Sequence, residues 1–206
     1  MLKLVSRDLE ILKEVERWRF CLSRQIFEFT TFNSKSAFYR RLNLLVDHGY
    51  LTKKRYLYGV PSIYTVTPLS YKALALPSKN NRVSVGTLEH ELAVIDCYLA
   101  FKKKYQLEST AFKSERELRK EFTSSKHYPD IVFNNDDNSY CIEVEFSLKS
   151  SDSLERNIKE NYLNYEKQFW IIKKEHHRLN KLLNKFKQEY PNIVIILWED
   201  GNLCSS

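Results

Sequence analysis

Residues 127–150, HYPDIVFNNDDNSYCIEVEFSLKS, contain two β-type segments around an acidic turn. Asp130–Phe133 and Tyr140–Lys149 are rich in β-branched and aromatic residues, and Asn134–Asn138 between them are turn formers. The pattern therefore predicts a β-hairpin. Strict alternation divides the second strand into a core face and an opposite face. The core face carries Ile142, Val144, Phe146 and Leu148, and the opposite face carries Cys141, Glu143, Glu145, Ser147 and Lys149.

Three carboxylates converge in this hairpin. A turn centred on its two aspartates places Asp130 opposite Glu143, with Glu145 two residues further along the same strand. Carboxylates this close repel one another, so keeping them ionised requires a cation. Hard oxygen ligands without a nearby His or Cys favour Mg²⁺ or Mn²⁺.

Such an ion polarises a phosphodiester and activates a nucleophile, and Lys149 on the same face is placed to stabilise charge on the phosphate. We therefore identify Asp130, Glu143 and Glu145 as candidate metal ligands, and these three together with Lys149 as candidate catalytic residues. The alternative is that the glutamates and the lysine form an ordinary solvated strand face.

The segments around the hairpin predict an α/β domain over residues 87–206. Apolar spacing predicts helices at 87–103, 114–122, 152–165 and 175–190, and strands at 169–172 and 193–198. Strands that alternate with helices imply a mixed central sheet covered by helices. Carboxylates on the central strands of such a sheet are typical of restriction-endonuclease-like nucleases.

The N-terminal residues predict a different, α+β domain. Helical spacing at 6–18, 25–29 and 35–48 is followed by two strands, 50–58 and 62–67, with a turn at 59–61 between them. Ser34 is the predicted N-cap of the third helix and Gly49 ends it. Three helices followed by a hairpin predict a winged helix-turn-helix over residues 1–78, and the polar residues 79–86 predict the domain boundary.

The positive charge lies in this first domain. Residues 1–80 carry 14 Lys and Arg against 6 acids, whereas residues 81–206 carry 19 against 20. This asymmetry favours binding of double-stranded DNA, with the third helix in the major groove and the hairpin along the phosphates. The alternative is a winged helix that mediates dimerisation or protein contact. The candidate DNA-binding residues are Lys35, Ser36, Tyr39, Arg40, Asn43, Lys53, Lys54 and Arg55.

Composition excludes several other classes of protein. No apolar run is long enough to span a membrane, and the first residues lack the apolar block of a secretory signal. The four cysteines lie too far apart in sequence to suggest a zinc knuckle or a redox motif. They predict free thiols, a cytoplasmic location and no membrane partner.

Several segments resemble the replication-relaxation family of bacterial mobile elements. They are TLEHELAVIDCYLAF (87–101), SERELRKEF (114–122), KHYPDIVF (126–133), YCIEVEFSLKS (140–150) and the helix that follows. Members combine a winged helix with an endonuclease-like domain, and the family is similar to MOB-C class relaxases, which nick plasmid DNA.

The resemblance implies that Asp130, Glu143 and Glu145 match the acidic metal-binding positions of a PD-(D/E)xK nuclease and that Lys149 matches the lysine that trails them. One departure is that the common signature has Lys where this chain has Glu145. Glu91 and Glu117 on the preceding helices are further acidic residues, expected at the surface rather than as ligands.

Two functions are consistent with these patterns. The first is a metal-dependent nickase in plasmid mobilisation or replication, with other relaxosome or replication proteins as partners. The second is a non-catalytic regulator of plasmid replication, transfer or transcription, with a degenerate nuclease-like domain. In both, a winged helix that recognises an inverted repeat favours a dimer. A tyrosine relaxase with a two-histidine metal site lacks support, because His176 and His177 lie on a predicted exposed helix.

Overall fold

The computed structural model describes residues 2–79, 82–122, 127–147, 149–199 and 202–203. The chain divides into two compact units, residues 1–95 and residues 96–206. The division lies inside helix α5 (Leu88–Tyr105) and so differs from the predicted boundary at residues 79–86, of which 80 and 81 lie outside the described residues.

The boundary lies further along the chain because the start of α5 packs in the first unit. Leu88 and Leu92 are buried against Phe20, Leu22 and Ile63, so these two leucines complete an N-terminal apolar cluster. A polar stretch such as 79–86 marks a connection, but side-chain packing decides which unit a neighbouring helix joins.

The first unit is α+β. In chain order its elements are α1 (Ser6–Trp18), β1 (Cys21–Leu22), α2 (Ser23–Glu28), α3 (Lys35–Asp47), β2 (Leu51–Lys54), β3 (Ile63–Val66) and α4 (Pro68–Ala73). The strands form an antiparallel sheet in the order β1–β3–β2. The three predicted helices and both predicted strands are present, but the first strand ends at Lys54 rather than at Tyr58. β1 and α4 were not predicted.

Local sequence explains the bounds of α3. The Ser34 hydroxyl accepts a hydrogen bond from the backbone N–H of Ala37 at 3.2 Å, which is an N-cap. Phe38, Leu42 and Leu45 are buried at helical spacing. Gly49 follows the helix with φ +75°, the left-handed conformation that glycine adopts readily.

The second unit is α/β. Besides the end of α5, it contains β4 (Phe112–Ser114), α6 (Glu115–Glu121), β5 (Ile131–Asn135), β6 (Asn138–Glu145), α7 (Ser151–Asn164), β7 (Lys167–Lys173), α8 (His177–Glu189), β8 (Ile193–Glu199) and β9 (Asn202–Leu203). These six strands form a mixed sheet in chain order. β6, β7 and β8 are parallel, and the other neighbouring pairs are antiparallel.

Helices cover both faces of this sheet. On one face the ring of Phe101, from α5, lies 5.6 Å from that of Phe133 and 4.9 Å from that of Phe169. On the other face Trp170 packs with the buried residues of α7 and α8. Phe169 and Trp170 are consecutive in β7 and therefore point to opposite faces. Among the described residues, no helix is both long and apolar enough to cross a membrane.

The β5–β6 hairpin has the predicted register. Ile131 pairs with Ile142 and Val132 with Cys141, which places Asp130 opposite Glu143. The turn is shorter than predicted, because only residues 136–137 lie outside the strands, and Asp136 adopts φ +52° there. β6 ends at Glu145 rather than at Lys149, and the predicted core residue Leu148 lies outside the described residues.

Candidate carboxylate site

Both glutamates of β6 are buried. Glu143 is 5% exposed and Glu145 is 3% exposed. Glu143 pairs with Trp170 in the parallel register, so its side chain shares the face that α7 and α8 cover. The interpretation of this face as a solvated strand surface is therefore wrong. Burying a carboxylate is unfavourable unless hydrogen bonds or opposite charges compensate, and the surrounding residues supply both.

Glu143 is held by two side chains from outside its own strand. Its Oε1 lies 2.6 Å from His127 Nε2 and accepts a hydrogen bond from Asn161 Nδ2 at 2.8 Å. Because a carboxylate only accepts, a hydrogen bond between the charged Glu143 and His127 requires the proton on Nε2. Burial raises the pKa of Glu143, the hydrogen bond from His127 opposes this, and the nearby charge of Asp130 raises the pKa further.

Glu145 is paired with residues that follow it in the chain. Its Oε1 accepts hydrogen bonds from the backbone N–H of Ser147 at 3.1 Å and from the Ser147 hydroxyl at 2.8 Å. Its Oε2 forms an ion pair with Lys149 Nζ at 2.6 Å. Both oxygens of this carboxylate are therefore engaged by the protein.

Lys149 lies in the field of all three carboxylates. Partial burial lowers the pKa of its ammonium, whereas the bond to Glu145 and the charges of Glu143 and Asp130 raise it, and the net direction is upward. Lys149 therefore stays protonated and serves as a cation rather than as a base. Its side chain is 42% exposed, so solvent also reaches it.

Asp130 lies immediately before β5. Its Oδ2 accepts a hydrogen bond from the backbone N–H of Val144 at 2.7 Å, which fixes the carboxyl between the two glutamates of β6. The structure thus brings together all four residues that the sequence predicted for this site, Asp130, Glu143, Glu145 and Lys149.

The cluster is closed by protein donors. Among the described residues, no three His, Cys, Asp or Glu side chains are grouped closely enough to hold a metal ion. Oε1 of Glu143 and both oxygens of Glu145 are already engaged by protein groups. The oxygen donors fit Mg²⁺ or Mn²⁺ in type. Glu145 would have to release Lys149 or Ser147 to become a ligand.

Three residues that hydrogen-bond to these glutamates were not predicted as site residues from the sequence: His127, Ser147 and Asn161. Asn161 lies on the buried face of α7 with Leu154 and Ile158, where an amide signals a buried partner. Tyr162, the next residue of α7, is 43% exposed, so it does not share that face.

Glu91 and Glu117 have other partners. Glu91, in the first unit, pairs with Arg19 and accepts a hydrogen bond from the Thr87 hydroxyl at 2.9 Å. Glu117 accepts from the backbone N–H of Ser114 at 2.8 Å in a capping box at the start of α6. Ion pairing therefore explains the position of the Glu91 side chain, and helix capping explains that of Glu117.

All eight candidate DNA-binding residues are exposed. Five lie on α3, two on β2 and one directly after β2; they are Lys35, Ser36, Tyr39, Arg40, Asn43, Lys53, Lys54 and Arg55. Arg41 on the same helix has a different role, because its guanidinium forms a bidentate pair with the fully buried Asp8. Lys35 and Arg40 are therefore exposed to solvent, whereas Arg41 anchors the helix to Asp8.

Comparisons of the chain with known protein families, with characterised proteins and with solved structures found no match.

Proposed function

We propose that this protein binds double-stranded DNA through a winged helix in its first unit and cleaves one strand with a divalent-metal-dependent, relaxase-like endonuclease site in its second. The setting that the sequence favours is mobilisation or replication of a plasmid or another mobile element. The observation that carries the proposal is the burial of Glu143 and Glu145 beside Asp130 and Lys149. Buried carboxylates of like charge oppose folding, so a fold that keeps them favours a functional role.

Asp130, Glu143 and Glu145 are the residues that would hold the ion. When bound, Mg²⁺ or Mn²⁺ would supply Lewis-acid polarisation of the phosphodiester and a more acidic water or hydroxyl nucleophile. His127 and Asn161 fix the position of Glu143, so they act as positioning residues. Lys149 carries a positive charge at the edge of the cluster, where it can stabilise negative charge that develops on the phosphate.

The first unit supports DNA binding by the order of its elements and by its exposed bases. α3 is followed by the β2–β3 hairpin, and Lys53, Lys54 and Arg55 lie in or next to β2. A helix with exposed polar residues and a basic strand beside it matches the geometry with which winged helices contact a groove and its phosphates.

One observation favours a non-catalytic alternative. Ser147 and Lys149 occupy both oxygens of Glu145, and the common nuclease signature has a lysine at this position. In this alternative the protein is a DNA-binding regulator of plasmid replication, transfer or transcription. The carboxylate cluster would then be a structural remnant stabilised by its own cation.

Calorimetric titration of Mn²⁺ distinguishes the two functions. We expect saturable binding by the wild type and its loss in Glu143→Ala/Glu145→Ala. The matched control is Glu121→Ala/Glu199→Ala, which removes two exposed, ion-paired carboxylates from the same unit. If Mn²⁺ binds, nicking of supercoiled DNA tests catalysis directly. Absence of binding in the wild type, even with DNA present, would refute the nuclease and leave the regulator.

DNA binding is tested separately by fluorescence anisotropy on labelled duplex DNA. Lys35→Ala/Arg40→Ala should weaken binding, because both bases are exposed on α3. Lys13→Ala/Lys72→Ala removes two exposed bases from α1 and α4 of the same unit and is the matched control. Equal losses in the two variants would contradict a binding surface on α3.

A further inference from the structure

The second unit contains a basic pocket that its overall charge does not suggest. The pocket has a volume of about 870 Å³ and lies between the start of α7 and one side of α8. Its lining includes four cations, Lys149, Arg178, Lys181 and Lys185, and none of the described residues that line it is acidic. Residues 81–206 carry one more acid than base, so this concentration of positive charge is local.

Three of these cations form a row on α8. Arg178, Lys181 and Lys185 follow the i, i+3, i+7 spacing of one helical face. At a rise of 1.5 Å per residue the row is about 10.5 Å long. Successive phosphates of one DNA strand advance about 3.4 Å along the duplex axis, so the row is long enough to contact more than one phosphate. A row of this length fits a polymer of phosphates better than a single anion.

The fourth cation connects this row to the carboxylate cluster. Lys149 lines the pocket and also lies 2.6 Å from an oxygen of Glu145. A phosphate chain lying along α8 would therefore end next to the buried carboxylates. Lys149 thus links the pocket to the buried carboxylates within the second unit.

We propose that Lys149 and the α8 row of Arg178, Lys181 and Lys185 bind the sugar-phosphate backbone of the DNA strand next to the carboxylate cluster. This inference rests on the proposed function, because DNA is the polyanion that the first unit would deliver. It adds a second DNA contact, on the unit whose composition gave no indication of one. Backbone contacts of this kind position a strand without reading its sequence.

The salt dependence of DNA binding tests this contact in the full-length chain. Affinity for labelled random-sequence duplex DNA is measured between about 0.05 and 0.2 M salt, with a chelator present to prevent cleavage. The variant is Arg178→Gln/Lys181→Gln/Lys185→Gln. The matched control, Lys103→Gln/Lys104→Gln/Lys187→Gln, removes three exposed bases from α5 and α8 outside the pocket.

The α8 variant should lower the slope of log affinity against log salt by about 2 to 3, because each duplex phosphate contact contributes about 0.9. Binding near 0.15 M salt should weaken on the order of 100-fold. The control variant should change the slope by less than about 1.

A slope equal to that of the wild type, or an equal change in both variants, would overturn the inference and leave the proposed function standing. No DNA binding by the wild type would instead overturn the proposed DNA binding on which the inference rests. If the variant loses binding of ATP while its DNA slope is unchanged, the pocket takes a free nucleotide and the inference is overturned.

Discussion

Replacing Glu143 by glutamine removes a charge from the interior of the second unit and keeps the shape of the side chain. The amide oxygen of glutamine can accept the same hydrogen bonds from His127 and Asn161 that Oε1 of the glutamate accepts. The substitution therefore isolates the effect of the negative charge. We expect Glu143→Gln to be more stable than the wild type at neutral pH when metal is removed with a chelator.

The magnitude follows from two opposing contributions. At 5% exposure, the desolvation of an ionised carboxylate opposes folding by several kcal/mol, and the charge of Asp130 adds repulsion. Against this, two hydrogen bonds to a charged acceptor weaken to neutral ones, a loss of about 1 kcal/mol each. The net stabilisation should be about 1–2 kcal/mol, equivalent to a Tm increase of roughly 2–8 °C for a chain of this size.

The pH dependence has a defined sign. Burial raises the pKa of Glu143, so the folded state binds this proton more tightly than the unfolded state does. Wild-type stability from this group is therefore fully present below the ordinary glutamate pKa and is lost as pH rises through the raised value. Glutamine does not titrate. The advantage of Glu143→Gln should consequently grow as pH rises from the ordinary glutamate pKa through the raised one.

Urea unfolding followed by tryptophan fluorescence measures this difference, because Trp170 lies in the core on the same face of the sheet as Glu143. Glu121→Gln is the control, since Glu121 is an exposed partner of Lys113 and should change stability by less than about 0.5 kcal/mol. A Glu143→Gln variant that is destabilised by more than about 1 kcal/mol at neutral pH would refute the reasoning. The charge would then be a net contributor to stability.

Two further predictions concern the first unit. Arg41→Ala should lower the free energy of unfolding of this unit by about 3–5 kcal/mol, because the buried Asp8 would lose its ion pair. Urea unfolding followed by tryptophan fluorescence, to which Trp18 of this unit contributes, measures this, and full stability retained by Arg41→Ala would contradict it. Gly49→Ala should lower the free energy of unfolding by about 1 kcal/mol through the positive φ of this residue alone, since no atom lies within 4 Å of the added Cβ. The same urea unfolding assay measures this change. A loss of stability above about 3 kcal/mol would indicate a steric clash instead.

Local features of the fold could be predicted from the sequence because neighbouring residues decide them. The cap at Ser34 and the glycine at 49 set the ends of α3, and their effects extend over a few residues. The turn at 136–137 set the register of the β5–β6 hairpin, which placed Asp130 opposite Glu143 as predicted. Short strands such as β1 were missed, because two residues carry too little periodicity to be recognised.

The candidate site could be predicted only in part, because its chemistry depends on residues distant in sequence. Alternation in β6 placed Glu143 and Glu145 on one face, but alternation cannot show whether a helix covers that face. The structure places α7 over it, and Asn161 reaches Glu143 across 18 residues of chain.

The sequence by itself thus determined most of the helices, the β5–β6 hairpin with its register, and the identity of the four clustered charged residues. Packing of α7 and α8 on the sheet decided that the two glutamates are buried and that α8 lines a basic pocket with Lys149. Packing of Leu88 and Leu92 against Phe20, Leu22 and Ile63 decided that the start of α5 belongs to the first unit. The physical reason is that backbone periodicity is local, whereas burial depends on which distant segment excludes water.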